Sequence, residues 1–210
     1  PILERVQAYK YLGMTMDPSL TWNHHIETVC SKIRQRLGVL SRMRAYMDRA
    51  LSCQMFNAMI LPILDYGNVT YGTCSKSLFA KLQRLQNRAA KIILQVPYDT
   101  SNVQVFKELN WLDLSERLYF HRAVLMFKCR NGLVPSYLSN KFSLHLSTYR
   151  TRATMQSKLV IPKCNLSCGQ HSFSYIGAQI WNELKPEIAQ STSLTSFKSS
   201  ITQDIHNKRQ

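Results

Sequence analysis

The segment KSLFAKLQRLQNRAAKIILQ, residues 76–95, constrains the chain more than any other, because Leu78, Leu82, Leu85, Ala89 and Ile92 recur at spacings of four, three, four and three. Residues so spaced fall on one side of a 3.6-residue turn, so the segment predicts a helix with a single apolar stripe, closed by Pro97. Trp22, Ile26, Val29, Cys30, Ile33, Leu37 and Leu40 repeat the pattern, predicting a helix of about six turns with Thr21 as its N-cap. Within Arg49 to Leu64 the stripe is Leu51, Met55, Phe56, Met59, Ile60, Ile63 and Leu64, and Pro62 is expected to kink or end that helix. Shorter patterns cover Asn102 to Leu109 and Ser115 to Arg130, the latter stopped by Asn131-Gly132 as a left-handed cap.

Ahead of these helices, YKYLGMTM (9–16) is rich in strand formers and leads into the turn Asp17-Pro18-Ser19. DYGNVTYGTCSKS (65–77), with Gly67, Gly72 and many small polar residues, reads as a loop. From Leu133 to about Gln170 the periodicity fades around Pro135, Pro162 and a basic cluster of Arg150, Arg152 and Lys158. That stretch predicts a linker with short strand-like pieces. Helical spacing returns in Phe173, Ile176, Ile180, Trp181 and Leu184, and again in Leu194, Phe197, Ile201 and Ile205. The chain is therefore expected to be mainly α: a strand or hairpin in 1–20, a helical bundle in 21–132, then a small mixed C-terminal region made of a linker with short strands in 133–170 and a small helical part in 171–210. Trp22, Trp111 and Trp181 fall on or beside apolar stripes and are expected to pack rather than to stack on bases.

Charge narrows the function. The chain has 27 Lys and Arg against 12 Asp and Glu, a formal net charge of +15, which favours polyanionic partners, nucleic acid first among them. No apolar run of about 18 residues predicts a membrane span. Six cysteines (Cys30, Cys53, Cys74, Cys129, Cys164 and Cys168) are scattered through a helical pattern, which suits reduced thiols in a nuclear or cytoplasmic setting better than a disulfide framework. Pro1 in place of Met suggests an excised Met or a piece cut from a longer polyprotein.

Metal-dependent nucleotidyl transfer needs clustered carboxylates, whereas Asp17, Asp48, Asp65, Asp99, Asp113 and Asp204 stand apart in the sequence. Walker A, dinucleotide-binding and nucleophile-elbow motifs do not occur either. No catalysis, cofactor or small-molecule substrate is expected from this chain alone. Cys164, Cys168 and His171 are weak zinc candidates at C-x3-C-x2-H, with His206 as a fourth ligand. His24 and His25 point about 100° apart on a helix and do not share a metal.

The basic residues have more pattern. Lys81, Arg84, Arg88 and Lys91 follow one another at three, four and three, with no acid in their helix. Such a narrow face can track phosphates without reading sequence. Lys32, Arg34, Arg36, Arg42 and Arg44 are expected to add a second basic face on the first long helix, opposed there only by Glu27.

Several segments, in order, look familiar. Tyr11-Leu12-Gly13 with Asp17, Leu20, Trp22, His25 and Ile26 resembles the region after the catalytic palm of non-LTR retrotransposon (LINE-type) reverse transcriptases. LPILDYGNVTYG (61–72) resembles their Pro-x-Leu-x-Tyr-Gly element, and LQRLQNRAAKIIL (82–94) their Leu-x-x-x-Gln-x-x-Ala helix. SFSYIGAQIWNEL (172–184) and SLTSFKSSI (193–201) resemble the C-terminal pattern of jockey-like reading frames, except that Lys185 intervenes before Pro186. The resemblance implies a helical thumb in which Tyr11, Leu12 and Gly13 correspond to the primer grip and the basic faces hold an RNA or DNA template–primer. It also implies a palm and fingers upstream of residue 1, carrying the aspartate pair and its Mg. The rival expectation is a domesticated, non-catalytic helical module that binds RNA or protein; a zinc module around Cys164 to His171 is a third.

Overall fold

The computed structural model describes residues 6–144 and 158–209, so Arg150 and Arg152 lie outside the described residues. The chain groups into two units, Pro1–Arg117 and Leu118–Gln210. It is mainly α-helical with one antiparallel hairpin ahead of the helices, in agreement with the class read from the sequence.

The hairpin pairs β1 (Tyr9–Tyr11) with β2 (Met14–Met16), Lys10 facing Thr15. What reads as one short strand is split at Leu12-Gly13, whose φ values of 45° and 79° are both positive. Two such residues form the tight turn whose twist matches that of the strands it joins.

Asp17 ends the hairpin and organises the next helix. Its carboxylate accepts from the backbone N–H of Ser19 (3.1 Å), Thr21 (3.1 Å) and Trp22 (3.0 Å) and from the Thr21 hydroxyl. The Thr21 N–H, with the Thr21 hydroxyl and the Trp22 and Ser19 N–H groups, holds Asp17 below the usual carboxylate range, against the small opposing effect of burial. Thr21 is thus not the N-cap: α1 spans Asn23–Met43, preceded by Trp22 in a left-handed conformation. The whole predicted stripe from Trp22 to Leu40 is buried.

The helix expected over Arg49 to Leu64 breaks at Ile60 into α2 (Arg49–Met59) and α3 (Leu61–Asp65), with Pro62 in the first turn of the second piece. The expected loop after it is partly helical. Gly67, at φ 69°, starts a single turn, α4 (Asn68–Tyr71), that buries Asn68 and Tyr71. Polar composition suggested a loop, but the Tyr71 ring supplies enough apolar surface to draw the turn into the core.

Next come α5 (Lys76–Leu94), α6 (Asn102–Leu109) and α7 (Leu114–Arg130). The α5 stripe packs along α1, Leu82 and Ala89 against a core containing Ile26, Ile33 and Leu37. It runs on through Ile93 rather than Ile92, and it also buries Gln86. The Gln86 amide donates to the Leu112 carbonyl (2.9 Å), and Gln83 accepts from the Leu114 N–H (2.9 Å), so two glutamines on α5 fasten the start of α7. Trp111 stacks on Phe56 with ring centroids 4.0 Å apart, and Trp22 is buried, so both are packing residues.

In the second unit, the helices Phe173–Glu183 and Leu194–Asn207 follow the predicted spacing. Among its described residues, the stretch 133–170 contributes the single turns Ser136–Ser139 and Ser167–Gln170 and a bridge of Leu144 to Leu159. Asn182 clasps the Leu159 backbone on both its N–H (2.8 Å) and carbonyl (2.9 Å). A Cβ at Gly177 would press on Met126, which explains glycine where that helix meets the later part of α7. Trp181 stacks on Phe197. Asp204 is buried between Lys185 (2.7 Å) and Lys208 (2.8 Å); burial alone would raise its carboxyl, but the two ammonium groups hold it low.

Candidate nucleic-acid interface

Ser75 caps α5 through its side chain, and the helix carries no acid. At about 100° per residue, Lys81, Arg84, Arg88 and Lys91 lie within an arc of about 80°, on the side away from the buried stripe and over about 15 Å of helix. Arg84 and Arg88 are exposed, and Lys81 and Lys91 half-buried. Arg84 Nε donates to the Ala80 carbonyl (3.3 Å) and Lys91 Nζ to the Tyr98 carbonyl (2.6 Å). These bonds fix the two stems while leaving donors on each group, since a guanidinium has five N–H groups and an ammonium three.

The α1 cations do not form a matching face. Lys32 and Arg36 lie on one flank of the helix, Arg34 on the other and Arg42 outward, while Arg44 falls past its end in the 3-10 turn Arg44–Tyr46. Arg36 is engaged structurally: its guanidinium donates to the Met59 carbonyl (2.7 Å) at the break before Pro62, a residue with no N–H to offer. Burial pushes the Cys30 thiol up, and the charges of Arg34, Lys81 and Arg84 pull it back against Glu27. The basic face supported by helical phase is therefore that of Lys81, Arg84, Arg88 and Lys91 on α5.

The hairpin tip is exposed at Tyr11, Leu12 and Gly13 and is held from below. The Tyr66 hydroxyl donates to the Leu12 carbonyl, and a Cβ at Gly13 would lie 3.3 Å from the Tyr66 ring. Gly67 is equally constrained, because any Cβ there would collide with the Met14 thioether. The Thr15 N–H donates to Nδ1 of buried His25 (3.3 Å), which keeps that imidazole neutral and carries its proton to Nε2. Burial, with Lys32 adding to it, lowers the His25 pKa. Sequence reasoning did not assign these anchors, although the Tyr-Gly pair at 66–67 was the available signal.

The side chain of Cys168 lies outside the described residues, so the candidate set Cys164, Cys168 and His171 is not defined as a site. Cys164 is half-buried against Gly169, and His171 is exposed. Among the described residues no three His, Cys, Asp or Glu side chains stand together as a metal site, so none of them fits the Mg that the resemblance implies for a palm. No helix among them is long and apolar enough to cross a membrane.

Curated relatives agree with the resemblance. The chain is 29% identical over 123 residues to the probable RNA-directed DNA polymerase from transposon BS of Drosophila melanogaster, covering 57% of this chain and 14% of that protein. It is 28% identical over 120 residues to the RNA-directed DNA polymerase from mobile element jockey of the same species, covering 56% and 13%. It is 21% identical over 117 residues to the probable polymerase from transposon X-element, covering 54% and 13%. The matched stretch therefore spans only about one seventh of these relatives. No protein-family model matches the chain, and no solved structure does.

Proposed function

We propose that this chain is a nucleic-acid-gripping part of a retrotransposon RNA-directed DNA polymerase, acting as a thumb on the template–primer duplex beside a palm and fingers supplied by the rest of the polymerase. Homology to RNA-directed DNA polymerases supports the polymerase context. The observation that carries the grip is the run of Lys81, Arg84, Arg88 and Lys91 along one side of α5, with no acid in that helix. Its length of about 15 Å matches four to five base-pair rises of about 3.4 Å, so the stripe can follow a strand of duplex across a few phosphates. Contacts of this kind are sequence-tolerant, as a copying enzyme requires. The Tyr11-Leu12-Gly13 tip, exposed and braced by Tyr66, would meet the primer strand.

The test is a salt titration of binding to an RNA–DNA hybrid with a single-stranded overhang, comparing the chain with its Lys81→Ala, Arg84→Ala, Arg88→Ala, Lys91→Ala variant. A steep dependence for the parent, made shallower by about 3.5 in log–log slope in a folded variant, is expected, at about 0.9 per phosphate. Weak binding at low salt, or an unchanged slope, would reduce the stripe to a solvated face and favour the domesticated RNA- or protein-binding module.

A further inference from the structure

The basic stripe ends at an aromatic ring. Lys91, its last cation, donates to the Tyr98 carbonyl at 2.6 Å and sets its ammonium 5.1 Å from the centre of the Tyr98 ring. Tyr98 nevertheless remains 79% exposed. It sits in a turn closed by the Thr100 N–H on the Pro97 carbonyl (3.2 Å), just after left-handed Gln95 ends α5. A large ring held by a backbone bond and a cation–π contact, yet left in water, has lost much of its freedom before any ligand arrives. Its neighbour Asp99 is also exposed, so the run of positive charge stops at this turn. A phosphate is disfavoured there, whereas an uncharged base is not.

We propose that Tyr98 is a stacking platform for an unpaired nucleotide at the end of the duplex held by the α5 stripe. The assignment rests on the proposed nucleic-acid grip and deepens it: the stripe holds paired phosphates, and Tyr98 marks where the duplex gives way to a single strand. Lys91 covers one face of the ring and the other takes the base. Every base has a π-face, so the platform is tolerant of sequence.

Two probes test it, a blunt RNA–DNA hybrid and the same hybrid with a short overhang carrying 2-aminopurine, titrated with the full chain and with Tyr98→Ala and Tyr98→Phe. Tyr98→Ala is expected to weaken overhang binding about 5- to 100-fold and to leave blunt binding unchanged, while Tyr98→Phe keeps the parental affinity. The 2-aminopurine fluorescence, quenched by stacking in the parent, should recover in the alanine variant alone. Equal effects on both probes, or none on either, overturn the platform while the grip stands. A parent that binds neither probe at low salt overturns both.

Discussion

Helices α1 and α5 are both long, both bury one apolar stripe against the other, and both are rich in Lys and Arg, yet only α5 presents a basic face. The difference is phase. The α5 cations advance by three, four and three residues, the period of the helix itself, so each sits over the last. The α1 cations Lys32, Arg34, Arg36 and Arg42 advance by two, two and six, and each two-residue step turns about 200° around the axis. Charges distributed that way share no face: Arg36 closes a broken helix, and Lys32 acts on a buried histidine. Charge count alone does not make a phosphate-binding face.

The sharpest way to break this comparison is to neutralise matched sets. The variant Lys81→Ala, Arg84→Ala, Arg88→Ala should flatten the salt dependence of hybrid binding by about two to three, whereas Lys32→Ala, Arg34→Ala, Arg42→Ala should flatten it by about one at most, since those three point to different sides of their helix. Equal changes in the two titrations would mean that net charge, not phase, governs binding. A smaller effect separates structural from surface cations. Arg36→Ala should cost about 1–2 kcal/mol in urea unfolding by leaving the Met59 carbonyl without its donor, with the salt slope of binding unchanged.

The smallest effect concerns the hairpin. His25 is neutral and buried with a lowered pKa, so below about pH 6.5 the unfolded chain takes up a proton that the folded chain resists. Stability is therefore expected to fall as pH drops from 6.5 towards the lowered folded value, and to be independent of this group above 6.5. His25→Gln should remove that component, read as a smaller difference between denaturant midpoints at pH 7.5 and 5.5.

Much of this could be read before any coordinates. The buried stripe from Trp22 to Leu40, the long basic helix, the break near Pro62 and the last two long helices all follow from local periodicity, because a 3.6-residue repeat is written in neighbouring letters. The collinearity of Lys81, Arg84, Arg88 and Lys91 is local in the same sense. Composition misled where one buried ring outweighed many polar neighbours, as at Tyr71, and where a carboxylate four residues away displaced the expected cap, as Asp17 displaced Thr21.

The sequence by itself therefore determined the helical class, the faces that bury and the run of charge on α5. Only the tertiary structure decided which polar and charged side chains are spent on holding the fold. The Arg36 bond to Met59 spans 23 positions, the Tyr66 bond to Leu12 spans 54, and the Gln86 bond to Leu112 spans 26. Such pairings depend on how α1, α5 and the hairpin pack, a long-range consequence of burying their apolar stripes together that no local window of residues contains.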